Sequence, residues 1–385
     1  MTDRTFHVFA GTRPEVVKMG PVVHALRDAG ADVVVVATGQ QSDPALIDAT
    51  FAAAGLRPDV TWDLGDGSYD ERAGMLYTRA LEHLGGAGEG AVAMVQGDTT
   101  TVPIVAHAAR RNGIPVVHVE AGLRSLNPES LEETNRKFAA AASSVHFAPT
   151  TMAAGFLAAE GVPDERIFVV GNTACDALLH SGVAPTPLAE RSGTVVTAHR
   201  ATNVDDPERL AAIVEIITEL AALAGPVTFP LHPRTEGNLK KFDLYEKLAG
   251  AEGVVLRPPL PYDEMLQALS RARLIVTDSG GLQEEAAWFG VPVIVMRYST
   301  PRWEGVANGT TALAGVSPEK VLTAARRMLT EEAQELAAGT PCPYGQGTTG
   351  EQIAAVLTSD EADALLTFVE PDYTDGSLPS VVAKL

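Results

Sequence analysis

The chain has 385 residues, 45% of them hydrophobic, which exceeds what one core usually organises and points to two domains. With 49 acidic against 29 basic side chains and a formal charge of −20, it holds no cationic surplus to displace counterions, which excludes nucleic-acid binding over an open surface. Its two cysteines, Cys175 and Cys342, lie far apart and outside any CxxC or Cys/His cluster, so neither a disulfide framework nor a structural zinc is expected.

In chain order, short apolar runs alternate with amphipathic stretches: His7-Val-Phe-Ala10, Asp32–Ala37, Ala91–Val95, Val116–Val119, Val145–Phe147 and Ile167–Val170. A second series follows at Thr194–Ala198, Val227–Phe229, Val254–Leu256, Leu274–Val276 and Val293–Val295. Such alternation predicts βαβ units and an α/β fold of two doubly wound, Rossmann-like domains facing a cleft. The Pro-containing stretch Ser181-Gly-Val-Ala-Pro-Thr-Pro-Leu188 marks the junction, giving domains over residues 1–180 and 181–362. The tail, residues 363–385, carries no motif and either crosses back to the first domain or stays mobile. The start of the sequence lacks a basic segment followed by an apolar one, and no apolar run approaches the roughly 20 residues of a membrane span. A cytoplasmic protein without a membrane partner is the expectation.

Open parallel sheets bind ligands beyond the carboxyl ends of their strands, and those positions are rich in chemistry here. The first half offers Gly11-Thr-Arg-Pro-Glu-Val-Val-Lys18, Gly97-Asp98 and Glu120-Ala-Gly-Leu-Arg124; the second offers His199-Arg200, His232-Pro-Arg234 and Asp278-Ser-Gly-Gly281. The last is the most specific. A strand running into Ser279-Gly280-Gly281 and then a helix offers unpaired N–H groups, a positive dipole end and no side chains to keep a diphosphate away. Six residues beyond Ser279, Glu285 would lie roughly 9 Å along that helix, within reach of ribose hydroxyls. A nucleotide on the second domain, with acids supplied across the cleft by the first, is the arrangement these positions predict.

Taken together, Gly11-Thr-Arg-Pro-Glu15, Gln96-Gly-Asp-Thr-Thr100, His118-Val-Glu-Ala-Gly-Leu-Arg124, Glu132-Glu-Thr-Asn-Arg136, His199-Arg200, Thr277-Asp-Ser-Gly-Gly-Leu-Gln-Glu-Glu285 and Pro343-Tyr-Gly-Gln-Gly347 resemble the non-hydrolysing UDP-N-acetylglucosamine 2-epimerases. The resemblance runs in order over about residues 6 to 358. It implies the two-domain arrangement called glycosyltransferase B, a homodimer, and interconversion of UDP-N-acetylglucosamine and UDP-N-acetylmannosamine without cofactor or metal. The implied route is elimination of UDP to a 2-acetamidoglucal followed by re-addition. It also implies catalytic roles for Asp98, Glu120, Glu132 and His199. Arg13, Lys18, His232, Ser279, Gly280, Gly281, Glu285 and Arg302 align with positions that contact the nucleotide or diphosphate.

Each residue has a plainer reading as well. Asp98 could cap a helix. Arg124 could neutralise Glu120, which would be costly to bury alone. Glu132 could be an ordinary first-turn helix acid. Arg13 could pair with Glu15, Lys18 could line a solvated face, His199 and His232 could be hydrogen-bonded structural groups, and Arg302 could stack on Trp303.

Several positions depart from the better-known bacterial pattern. Leu131 and Trp303 each stand where proline is usual, Ala201-Thr-Asn-Val-Asp205 follows the histidine motif, and Gly39-Gln40-Gln41 replaces a usual Gly-Gln-His. These changes leave the hexosamine less secure than the reaction, with a related UDP-2-acetamido sugar or sugar acid as alternative substrate and a hydrolysing epimerase as alternative enzyme. The Gly39-Gln40-Gln41 change weighs against activation by a second UDP-sugar.

Overall fold

The computed structural model describes residues 4–40, 44–370 and 372–378. Gln41 and the last seven residues of the tail lie outside them.

The chain divides into two compact units, one of residues 1–176 with 347–385 and the other of residues 177–346. The first holds a parallel sheet of β1 (Thr5–Ala10), β2 (Asp32–Ala37), β3 (Val60–Thr61), β4 (Ala91–Gln96), β5 (Val116–Val119), β6 (Val145–Ala148) and β7 (Ile167–Val169), in the order β3-β2-β1-β4-β5-β6-β7. The second holds β8 (Thr194–Thr197), β9 (Val227–Pro230), β10 (Val254–Arg257), β11 (Leu274–Thr277), β12 (Val293–Val295) and β13 (Thr311–Leu313), in the order β10-β9-β8-β11-β12-β13. Both are the doubly wound sheets the sequence predicts. The runs beneath them are continuous Val, Ile and Ala because helices cover both faces of a parallel sheet.

The strand order reverses between β1 and β4 in one unit and between β8 and β11 in the other. Adjacent connections diverge there to opposite faces, leaving a crevice at the strand ends. Gly11 to Arg13 follow β1, Gly97 and Asp98 follow β4, His199 follows β8 and Asp278 follows β11, so the chemistry-bearing residues cluster at these two switch points.

Helix Arg13–Asp28 starts with a capping box at Thr12 and Glu15 and buries Val16, Met19, Val22, Val23 and Leu26 against the first sheet. Helix Thr349–Leu357 covers it in turn, with Ile353 and Leu357 in the same core, each contributing about 2 kcal/mol of burial. Gly350 permits the approach, since a Cβ there would stand 2.6 Å from the Pro21 carbonyl oxygen.

Two domain boundaries differ from the sequence reading. The first junction falls at 176/177, inside helix Thr173–Ser181, rather than in the Pro-containing stretch after it. That stretch is pinned to the second unit: Thr186 Oγ1 lies 2.7 Å from Ser270 Oγ, which donates to the Ala184 carbonyl, and Arg191 donates to the Thr186 carbonyl. The second domain ends at 346 rather than 362, because Gly347 onward packs with the first unit. The start of the tail also docks there, through Arg4 on Asp363, Arg166 on the Leu365 carbonyl, and Arg110 3.8 Å over the Phe368 ring.

Candidate active site

In the first unit the turn after β1 is organised by Glu15. Its buried carboxylate accepts hydrogen bonds from the Gly11 and Thr12 amides at 2.8 Å each and from the Thr12 and Thr99 hydroxyls. Burial pushes its pKa up, against the pull of those donors. Glu15 thereby ties the β1 turn to the β4 turn, and Arg13 projects from the exposed first position of the helix.

Glu120, immediately after β5, has φ of 63°, a left-handed conformation that costs a non-glycine residue about 1 kcal/mol or more. The conformation is held by contacts to its buried carboxylate: Lys18 Nζ lies 2.7 Å from Oε2, and the Gln96 amide donates to the same oxygen. Arg124 has a carboxylate contact of its own. It is buried in a two-pronged contact with Glu160, at 2.8 and 2.6 Å.

Asp98, about a third exposed, accepts from Arg136 Nη1 at 2.9 Å, while its carbonyl accepts from the Asn135 side chain. The neighbouring acids of helix Leu131–Ala142 divide their work. Glu132 is exposed on the first turn and accepts from Ser130 Oγ at 2.7 Å. Glu133 is buried, receives the Ser125 amide and hydroxyl and the Leu126 amide, and lies 3.3 Å from Arg136. Beneath these turns His118 Nε2 lies 2.8 Å from the Gly97 carbonyl, and burial holds its pKa down at about 4.

In the second unit Asp278 is the hub. It is fully buried and accepts from the His199 and Arg200 amides and from Asn203 Nδ2, all at 3.0–3.1 Å, while His199 Nδ1 lies 3.4 Å from Oδ1. The His199 and His232 rings stand 5.8 Å apart, and His232 Nδ1 accepts from the Arg234 amide at the start of helix Pro233–Lys241.

The two glycines of the turn after β11 serve different ends. Both precede or open helix Gly281–Phe289, and neither needs a left-handed backbone. A Cβ on Gly280 would lie 3.0 Å from Arg302 Nη1, whereas one on Gly281 would meet nothing within 4 Å. Gly280 thus admits the guanidinium and Gly281 leaves open space at the helix start. Arg302 is positioned by Glu284, whose Oε1 lies 2.9 Å from Nε and 2.7 Å from Nη2. Thr300 completes the mount by accepting from the Arg302 amide and donating to Gln283. Glu285 is partly buried on the next position of the helix. Tyr344, from the Pro343-Tyr-Gly-Gln-Gly347 motif, is buried, and burial pushes its phenol well above its usual range.

The structure therefore brings Lys18 to Glu120 directly, sets Asp98 on Arg136, gathers His199 with His232, and places Arg302 against Gly280. Sequence reading quoted Gln96, Glu133, Arg136, Asp278 and Glu284 within its motifs but gave them no role of their own. Asp278 and Gln96 carried a local signal, their places at the ends of β11 and β4. Among the described residues no group of three His, Cys, Asp or Glu side chains is placed to hold a metal ion, and no helix is long and apolar enough to cross a membrane.

The profile of a family described as UDP-N-acetylglucosamine 2-epimerase matches residues 24–358. The chain is 36% identical over 368 residues to the UDP-N-acetylglucosamine 2-epimerase of Methanocaldococcus jannaschii, covering 91% of this chain and 98% of that one. It is 34% identical over 355 residues to the UDP-2,3-diacetamido-2,3-dideoxy-D-glucuronate 2-epimerase of Pseudomonas aeruginosa, covering 90% and 97%. A crystal structure of the Methanocaldococcus jannaschii enzyme in complex with UDP-GlcNAc and UDP superposes with a TM-score of 0.81 over 92% of this chain and 99% of that one, at 36% identity.

Proposed function

Since the chain belongs to the UDP-N-acetylglucosamine 2-epimerase family, we propose that it interconverts UDP-N-acetylglucosamine and UDP-N-acetylmannosamine, and that Asp98 and Glu120 are its two acid/base groups. The observation that carries this reading is their placement. Two carboxylates stand just beyond the neighbouring strands β4 and β5, each beside a cation, Arg136 for one and Lys18 for the other.

C2 of the sugar has no adjacent carbonyl to spread a carbanion's charge, so its proton leaves as the C1–O bond to UDP breaks and a C1=C2 double bond forms. Re-addition of a UDP oxygen to C1, with a proton delivered to the other face of C2, gives the epimer. Two faces call for two proton carriers. The charge that develops on the departing diphosphate calls for cations and helix amides, the roles proposed for Arg13, Arg302, Ser279, Gly280, Gly281, His199 and His232. Glu285 would receive the ribose hydroxyls, and Glu132 would assist at the sugar. In this reading the enzyme works in the cytoplasm as a homodimer and supplies precursors of cell-surface polysaccharide.

Incubation with UDP-N-acetylglucosamine in deuterated water, followed by NMR, should place deuterium at C2 of both epimers while free UDP does not accumulate. Retention of hydrogen at C2, or steady release of UDP and free sugar, would contradict the proposal. The Pseudomonas relative favours a second reading, in which the substrate is a UDP-diacetamido sugar acid. Faster exchange at C2 of that substrate than of UDP-N-acetylglucosamine would select it.

A further inference from the structure

The geometry around β11 points to Asp278 as the positioning residue of His199: its carboxylate fixes the imidazole with Nδ1 toward itself and leaves Nε2 as the atom that meets the substrate's diphosphate. The inference rests on the reading of His199 as an active-site residue and assigns what orients it.

Three features carry it. Asp278 is wholly buried, and Oδ2 already receives the His199 amide, the Arg200 amide and Asn203 Nδ2. Oδ1, which shares the His199 amide, lies 3.4 Å from His199 Nδ1. The loop carrying the histidine is fastened to the same strand end: Arg200 Nε donates to the Asp278 carbonyl at 2.9 Å, and Asn203 also reaches the Met296 carbonyl after β12. The carboxylate that holds the His199 backbone is thus also the one its ring faces.

A carboxylate facing Nδ1 selects the tautomer protonated there and stabilises the imidazolium, as in the histidine–aspartate pairs of hydrolases. The other groups facing the ring work the opposite way. Burial is the main cause lowering the pKa of His199, and His232 and Arg200 add to it; Asp278 is the group that raises it. The free enzyme would then hold a neutral ring with its proton on Nδ1. An arriving diphosphate favours a second proton on Nε2, which is then donated in a hydrogen bond to the leaving oxygen.

The test is 15N NMR of histidine-labelled protein, with His199 identified among the nine histidines by comparison with His199→Asn. In the unmutated protein at neutral pH the neutral ring should carry its proton on Nδ1; an Nε2–H tautomer would overturn the proposal without any variant. Asp278→Asn should lower the titration midpoint of His199 and reduce kcat by at least about tenfold with KM changed less than about threefold. In a His199→Asn background the same substitution should cause little further loss. An equal loss in both backgrounds would make Asp278 a purely structural residue and sink the idea. If no nucleotide-sugar exchanges its C2 proton while the tautomer and midpoint behave as stated, the functional reading fails and the positioning role stands. Should Asp278→Asn not fold, the tautomer in the unmutated protein decides.

Discussion

The Lys18 ammonium lies 2.7 Å from Glu120 Oε2, with the two side chains only 13% and 4% exposed. The contact joins helix Arg13–Asp28 to the end of β5 and helps keep Glu120 at its left-handed φ of 63°. Removing one member of a buried pair costs about 3–5 kcal/mol, because the other charge stays behind in a poor solvent. Lys18→Met is therefore expected to lower the urea midpoint strongly. Glu120→Gln keeps the shape but leaves the Lys18 ammonium behind, so it too should lower the midpoint, while suppressing C2 exchange much more than UDP binding. A midpoint unchanged in Lys18→Met would show that the pair does not hold the turn.

The turn after β11 makes a paired prediction. Gly280→Ala would drive a methyl group against Arg302 Nη1, so thermal stability and UDP affinity should both fall. Gly281→Ala enters open space, and its folded protein should melt at the same temperature or slightly higher. Its UDP affinity should nevertheless drop about tenfold or more, about 1.4 kcal/mol, if phosphate oxygens approach the bare backbone there. Calorimetric titration with UDP alongside thermal melts separates the two; equal melting losses in both variants would contradict the assignment.

Stability should depend on pH through the buried histidines. Burial holds His118 at about 4, against 6.5 for an ordinary histidine, so between these values the unfolded chain binds a proton that the folded one refuses. The contribution is full above pH 6.5 and is lost as pH falls toward 4, to the extent of about 3 kcal/mol. His146, lowered to about 3 by burial first, acts in the same direction. Urea unfolding at pH 7.5 and pH 5 should show about 2 kcal/mol of this loss, and His118→Gln should flatten the slope by up to one proton. An unchanged slope in the variant would mean that His118 titrates normally in the fold.

Gly350 offers a test of the chain's return to the first unit. A Cβ there would lie 2.6 Å from the Pro21 carbonyl oxygen and 2.7 Å from its carbon, both backbone atoms that cannot step aside. Gly350→Val is expected to cost about 1–3 kcal/mol and to make the segment after residue 347 sensitive to protease before the rest. Wild-type resistance in that variant would argue against the close packing of the two helices.

Most of the fold was legible in the sequence because central strands of a parallel sheet are buried on both sides and read as unbroken apolar runs. The edge strands β3 and β13 were not, being two and three residues long and short of any pattern. The destination of helix Thr349–Leu357 was also hidden: its apolar residues say that it covers something, and not which sheet. At the site, strand ends gave the positions of Asp98, Glu120, His199 and Ser279. Where two acids stand side by side, as in Glu132 with Glu133 and Glu284 with Glu285, the sequence could not tell which would turn inward. About 100° of helix rotation separates neighbours, and the choice rests on donors such as Ser125 and Arg302 that arrive from elsewhere in the chain.

The split course of the first unit sets an order of assembly during synthesis. Phe6, Val16 and Val23 leave the ribosome early, but Ile353, Leu357 and Leu366, which share their core, emerge only after the whole of residues 177–346 has been made. The uninterrupted unit, although translated later, is thus the one able to mature first. A nascent chain arrested once residue 346 has left the ribosome should present a protease-resistant second unit attached to a first unit that is still being digested.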